Sequence, residues 1–286
     1  MTTLKNNLKI WRLDDLKTKA HVIFKFSSSQ ILKLLSCFLA FSSCQKVINI
    51  DLNSTSPQIV VQGNITNQPG PYAVQLTQTI NFSEPNSFPA VSGAKVIIED
   101  NAGNVDTLTE NPPGTYTGTK LTGTPGRSYT LLLTANGKNY TAVSIMPAPV
   151  NIDSLSIQKS LFGNNKRVAV TFQDPAGVTN YYHFVVTINN VVANQTQVLN
   201  DDLLNGDQVT LPLSSDTNTL KSGDSVTVLL ECIDKGVYNY YLSLPDASGG
   251  GNGAAVAPAN PPSNISNAAL GYFSAYAVTT KSIIIQ

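Results

Sequence analysis

Apolar and polar positions alternate with a period of two along most of the chain beyond residue 58. Ile59-Val60-Val61-Gln62-Gly63-Asn64-Ile65 is a β-branched run that reads as a buried strand. Tyr72, Val74 and Leu76 alternate with Ala73, Gln75 and Thr77, which predicts a half-buried strand. Ala94–Glu99, Val105–Leu108, Tyr129–Thr134 and Lys138–Ser144 continue the pattern. Turn residues separate them: Asn101 to Asn104 with Gly103, Gly114-Thr115-Tyr116, Pro125-Gly126 and Asn136-Gly137. Asn-Gly is the preferred pair for a two-residue type I′ hairpin, because both positions need a positive φ. Short strands at spacings of about 8–12 residues with turns between them predict a β-sandwich over residues 59–146.

Met146-Pro147-Ala148-Pro149 interrupts the pattern, and its prolines stiffen a connector over residues 147–150. Ser154–Ile157, Val168–Phe172, Tyr182–Ile188, Gln208–Leu211 and Val226–Cys232 then predict a second sandwich over residues 151–286. Gly271-Tyr272-Phe273 through Ile285 are expected to close its sheet. One stretch has a different period. Val237, Tyr240-Tyr241 and Leu244 recur at helical spacing, predicting a short helix over residues 236–244 that Pro245 stops. Residues 246–263 are rich in Gly, Ala, Asn and Pro and read as a flexible loop. The fold class expected is all-β, with two tandem β-sandwich domains.

Composition adds an address. Of 286 residues only 13% are charged, against a usual share of roughly 25%. The formal net charge of zero hides a split: residues 1–43 hold seven Lys/Arg and two acids, residues 44–286 eleven and sixteen. A mildly acidic body excludes nucleic acid as a partner, since that needs a clustered basic face. Residues 31–41 form an apolar run whose only charge is Lys33, followed by Ser42-Ser43-Cys44. The run is too short to span a bilayer, which takes about 20 residues; a positive segment, apolar core and small-residue end make a secretory signal. The small residues before Cys44 resemble the lipobox of bacterial lipoproteins, although Phe41 fills a slot usually held by an aliphatic residue. That resemblance implies removal of residues 1–43, lipidation (palmitate) of Cys44, and a tether over residues 44–58. Membrane lipid is then a partner through Cys44.

The segments also resemble a family of outer-membrane lipoproteins of Bacteroidota-type bacteria, of unknown function, whose genes often neighbour TonB-dependent receptors. The matching pieces are Cys44, Ile59–Ile65, Val91-Ser92-Gly93-Ala94-Lys95-Val96, Ile152-Asp153-Ser154-Leu155 and Asp174-Pro175 with Asn180-Tyr181-Tyr182. They continue through Tyr238-Asn239-Tyr240-Tyr241, Asn260–Ile265 and Gly271-Tyr272-Phe273. Through Gly93–Val96 and the Gly114–Tyr116 turn the first half also resembles carboxypeptidase-regulatory-like and transthyretin-like sandwiches. The second half resembles fibronectin-type-III and Ig-like domains. The resemblance supplies no catalytic residues.

His183 is the one imidazole after Cys44; it alternates with Tyr182 and Phe184, on the more polar face of its strand, where solvation is expected. No Gly-x-Ser-x-Gly elbow accompanies it. Glu99-Asp100 and Asp201-Asp202 sit beside turns, and adjacent strand residues point to opposite faces, so turn solvation is expected rather than paired catalysis. Asp100, Asn104 and Asp106, and Asp201, Asp202, Asn205 and Asp207, cluster without matching a calcium loop. Gly249–Gly253 lacks the Lys-Ser/Thr of a phosphate loop. No metal and no cofactor are expected. Cys232 shares a face with Val226, Val228 and Leu230 and reads as a small buried filler. The tyrosines concentrate in the second half, and Tyr181 and Tyr240 are the positions where contact with a ligand or partner is expected.

The expectation is therefore a protein that is not an enzyme: a lipid-anchored outer-membrane component, facing either periplasm or exterior, assisting a TonB-dependent β-barrel transporter. A surface glycan-binding or adhesive module and a structural envelope spacer are the alternatives.

Overall fold

The period-two runs of the first half become eight strands: β1 (Ile59–Thr66), β2 (Tyr72–Gln78), β3 (Lys95–Asp100), β4 (Val105–Thr107), β5 (Thr109–Glu110), β6 (Thr115–Gly118), β7 (Ser128–Ala135) and β8 (Lys138–Ile145). The computed structural model describes residues 56–81, 87–159, 166–193, 195–214, 220–247 and 259–286. Asn136 and Gly137 have φ of 50° and 72°, the pair of positive values that a type I′ turn between β7 and β8 requires. The second half forms β9 (Ile152–Lys159), β10 (Lys166–Gln173), β11 (Tyr181–Ile188), β12 (Val191–Val192), β13 (Gln197–Asn200), β14 (Gln208–Pro212), β15 (Ser225–Ile233), helix α1 (Lys235–Ala247) and β16 (Leu270–Ile284). The fold is all-β, with two sandwiches.

One continuous sheet runs in the order β12-β11-β15-β16-β1-β2-β6-β5, with β13 also paired to β11. A four-stranded sheet, β4-β3-β7-β8, faces its β1–β6 end, and a three-stranded sheet, β14-β10-β9, faces its β11–β15 end. Between the first pair lie Val61, Val74, Leu76, Ile98, Leu131 and Phe273, all buried. Between the second lie Phe172, Tyr182, Phe184, Val228, Leu230 and Cys232. Each follows from alternation, which sends every second side chain to one face.

Strand β16 belongs to both sandwiches. Its residues Leu270 to Tyr276 pair in parallel with Val60 to Thr66 of β1. Ala277 to Ile284 then pair antiparallel with Cys232 to Ser225 of β15. Phe273 and Ala275 thus fill the first core, and Ile285, just beyond the strand, fills the second. The closing segment was expected in the second sheet alone. The described residues belong to one compact unit, and the Pro147–Pro149 connector carries the chain from β8 to β9 alongside this shared strand.

Two further features depart from the sequence pattern. Helix α1 runs on to Ala247 with Pro245 inside it, past the stop that proline predicts. In the last turn a proline forfeits one backbone hydrogen bond and leaves the earlier turns intact. Strands β12 and β13 are short and carry no alternating apolar face to announce them. Most of the Gly-rich loop, including Gly249–Gly253, lies outside the described residues.

Gly271 sets the approach of β16 to β1. Its φ is +91°, and a Cβ there would lie 1.9 Å from the carbonyl oxygen of Val61. Gly137 also has a positive φ, +72°, but open space around it. Gly271→Ala is therefore expected to cost on the order of 4 kcal/mol, against about 1 kcal/mol for Gly137→Ala. Guanidinium unfolding of the two variants checks this; equal losses would mean that backbone conformation alone, and not the strand contact, matters at Gly271.

Candidate functional site

The chemistry-bearing side chains of the second half gather on the outer face of the long sheet, under α1. Asp234 starts the helix: its Oδ1 accepts the N–H of Val237 at 2.9 Å, as an N-cap carboxylate does. Its other oxygen accepts the Ser144 hydroxyl of β8, and Ser144 Oγ accepts the N–H of Ala275 at 2.9 Å. The helix start is thereby tied to β8 and β16. Val237 and Tyr240 then face Ile233 and Tyr272 in a small buried cluster.

His183 lies in this cluster. It is 8% exposed, and its Nδ1–H donates to Glu231 Oε2 at 2.7 Å from the adjacent strand, where the two residues are register partners. The ring of Tyr241 stacks on the imidazole at 4.2 Å and 11°. Solvation was expected for this position, and the structure corrects it. Strand alternation identifies the face but not that helix α1, far along the chain, covers it.

Tyrosines complete the layer. The Tyr241 hydroxyl donates to that of Tyr272 at 2.8 Å, and Tyr276 interacts with the Glu231 carboxylate. Burial, with Tyr272 and Glu231 nearby, pushes the Tyr241 phenol far above its ordinary range. Burial and Glu231 do the same to Tyr276. Both hydroxyls stay protonated and serve as hydrogen-bond groups. Of the two expected contact residues, Tyr240 is only 9% exposed, with its ring 4.8 Å from that of Tyr272. Tyr181 is half-buried and packs on Tyr238 at 5.0 Å. The cluster is chiefly an inner surface. An imidazole with a carboxylate on Nδ1 is the orienting half of an acid–base device, but here Tyr241 covers the ring and the arrangement clamps α1 to the sheet.

The acidic turns are likewise part of the fold. Asp100 was expected in solvent and is buried. Its Oδ1 accepts the N–H groups of Ala102 and Asn104 at 3.0 and 2.9 Å, and Arg127 lies 2.7 Å from Oδ2. Burial alone would raise its pKa, but the hydrogen bonds from Asn104, Arg127 and Ala102 outweigh it and hold the pKa at about 2. Asp106 serves elsewhere, accepting the Tyr72 hydroxyl at 2.5 Å and the N–H groups of Thr119 and Lys120. Asp201 is buried too, contrary to the solvation expected of it, and Asn205 accepts the N–H of Gly177 at 2.7 Å. Among the described residues no three His, Cys, Asp or Glu side chains converge as metal ligands. Cys232 is buried, accepts the Val150 N–H at 3.3 Å, and has its thiol pushed by burial up to about 12. Cys44 lies outside the described residues.

Clefts open on the surface of the described residues. One, of about 320 Å³, lies between Tyr240 and Leu244 of α1, Val60 and Leu270, with Pro261 at its rim. Another, of about 400 Å³, lies where the described chain begins, between Ser56, Gln58, Lys138, Tyr140 and Asn267. No helix among the described residues is long and apolar enough to cross a membrane.

Two measurements test this account. His183→Ala leaves Glu231 buried without its imidazole, and urea melts should show a loss of about 2–4 kcal/mol; an unchanged midpoint would mean the pair is not formed. For Asp100 the folded pKa lies below the unfolded value of about 3.9, so its contribution is present above pH 4 and is lost as pH falls towards 2. The melting temperature of the parent should therefore fall more steeply over that window than that of Asp100→Asn, and parallel curves would contradict the assignment.

Solved structures that resemble parts of the chain do so at low similarity. A biofilm-associated protein BSP domain is 14% identical with a TM-score of 0.24, covering 60% of this chain and 27% of its own. The chain thus spans little more than a quarter of that protein's length. A two-domain fibronectin type III segment of chicken tenascin is 13% identical, TM-score 0.21, covering 62% and 91%. A cytokine receptor complex chain is 11% identical, TM-score 0.24, covering 78% and 94%. Comparison with curated proteins gives no significant match. A family profile, by contrast, matches residues 45–282, nearly everything that follows Cys44. The chain belongs to the DUF4249 family, a domain of unknown function.

Proposed function

We propose that this chain is a non-catalytic component of the bacterial outer membrane, anchored by lipid on Cys44 and associated with a TonB-dependent β-barrel transporter. The observation that carries this reading is strand β16, shared by both sandwiches. A strand hydrogen-bonded along both cores removes the hinge that a linker alone would leave between them. Such a body suits presenting a surface at a fixed distance from an anchor. The buried acid–base groups support it as well, because His183, Glu231, Asp100 and Asp106 are engaged in packing, capping and turn geometry.

The same strand favours a second reading, an envelope spacer with no stable partner. Glycan stacking on the tyrosines has less support, since Tyr240 is buried.

Mild-detergent pull-down of the tagged chain from outer membranes, with Cys44→Ser as control, distinguishes them. A β-barrel receptor recovered in near-equal amount with the parent, and lost with the control, is the expected result. Recovery of the chain alone would replace the transporter reading with the spacer. Palmitate labelling should be present in the parent and absent from Cys44→Ser; labelling that persists would refute Cys44 as the anchor.

A further inference from the structure

The two ends of the first sandwich differ in what they lead to. At one end β8 passes into the second sandwich and β16 continues into it. At the other end the described chain begins, at Ser56, just before β1. Register places several loops at this second pole. Ile59 pairs with Gln78, and the N–H of Gln78 donates to Pro89 O at 2.9 Å, which brings Phe88 alongside. Lys95 pairs with Thr134, next to the hairpin that closes Ala135 onto Lys138. Gln58 Nε2 donates to Ala268 O, adding the 266–269 turn.

This pole presents an exposed aromatic ring and two exposed ammonium groups. Phe88 is 55% exposed, and Lys95 and Lys138 are exposed at the same pole. The one described acid among these loops, Glu110, is occupied: its carboxylate accepts the N–H groups of Gly93 and Gly114 at 2.9 and 2.8 Å. The cleft of about 400 Å³ opens here, with Lys138 on its wall and Ser56, Gln58 and Asn267 as polar lining. Ser56 follows Cys44 by twelve residues, a reach of at most about 40 Å.

We propose that this pole of the first sandwich, with Phe88, Lys95 and the cleft beside Lys138, is a bilayer-facing surface that receives anionic lipid head groups. The proposal rests on the reading that Cys44 carries the anchor. A short tether holds the pole at high local concentration over the membrane, so contacts that bind a free protein only modestly suffice to orient a tethered one. The aromatic ring enters the head-group layer and the two ammonium groups meet lipid phosphates, as interfacial residues do. The second sandwich, at the opposite end of β16, is then held away from the bilayer.

The unacylated Cys44→Ser chain, mixed with vesicles of phosphatidylethanolamine with or without phosphatidylglycerol, tests the surface without the anchor. Binding is expected only with phosphatidylglycerol, and Lys95→Gln with Lys138→Gln should weaken it roughly thirty-fold. Unchanged binding in that double variant overturns the head-group assignment. Orientation is tested in the lipidated chain, where Cys44 is blocked and Cys232 buried, so that one introduced cysteine takes a fluorophore. Brominated lipids should quench a label on Ser87→Cys and spare one on Leu203→Cys, which is 92% exposed in the second half. Equal quenching, or quenching of Leu203→Cys alone, overturns the orientation. Lack of palmitate labelling would sink the anchoring reading instead, and the vesicle assay would still decide the lipid surface.

Discussion

The close parallel pairing of β1 with β16 is the constraint on which the rest depends. It joins residues 210 positions apart, lets one strand serve two cores, and positions the sheet face on which α1 docks. Gly271 makes the approach possible, because its missing side chain leaves room for the backbone of β1. The capping carboxylate of Asp234 draws on the same arrangement: Ser144 can bridge to it only because β8 and β16 lie together. Fold, helix position and the burial of His183 all follow from a single strand pairing.

Much of this was legible in the residues. Alternation located the strands of both sandwiches, and Asn136-Gly137 specified a turn whose dihedrals the structure has. The core role of Cys232 followed from its side of a period-two strand. Alternation describes one strand at a time, however, and contains nothing about which strand lies beside which. The terminal strand therefore read as the property of its nearest neighbours in sequence, and its return to β1 was invisible.

The candidate site shows the same limit in side-chain terms. His183 sits on a face that looks half polar, and polarity suggested water. The polar groups on that face answer one another instead: imidazole to carboxylate, phenol to phenol, phenol to carboxylate. Helix α1 was correctly expected from Val237, Tyr240 and Leu244, but only the structure shows what its apolar side rests on. Asp100 and Asp201 were misplaced for a related reason. A carboxylate beside a turn can cap that turn from inside, and composition cannot distinguish an inward cap from an outward one.

The order in which the chain is made bears on the shared strand. Residues that leave the ribosome first include β1, whose partner β16 follows 210 positions later. The first sandwich cannot be completed until β16 has been made, so the growing chain carries an open sheet edge. Closure becomes a single late event in which both cores are sealed together. That delay leaves the exposed edge of β1 as the surface most in need of protection until β16 is made.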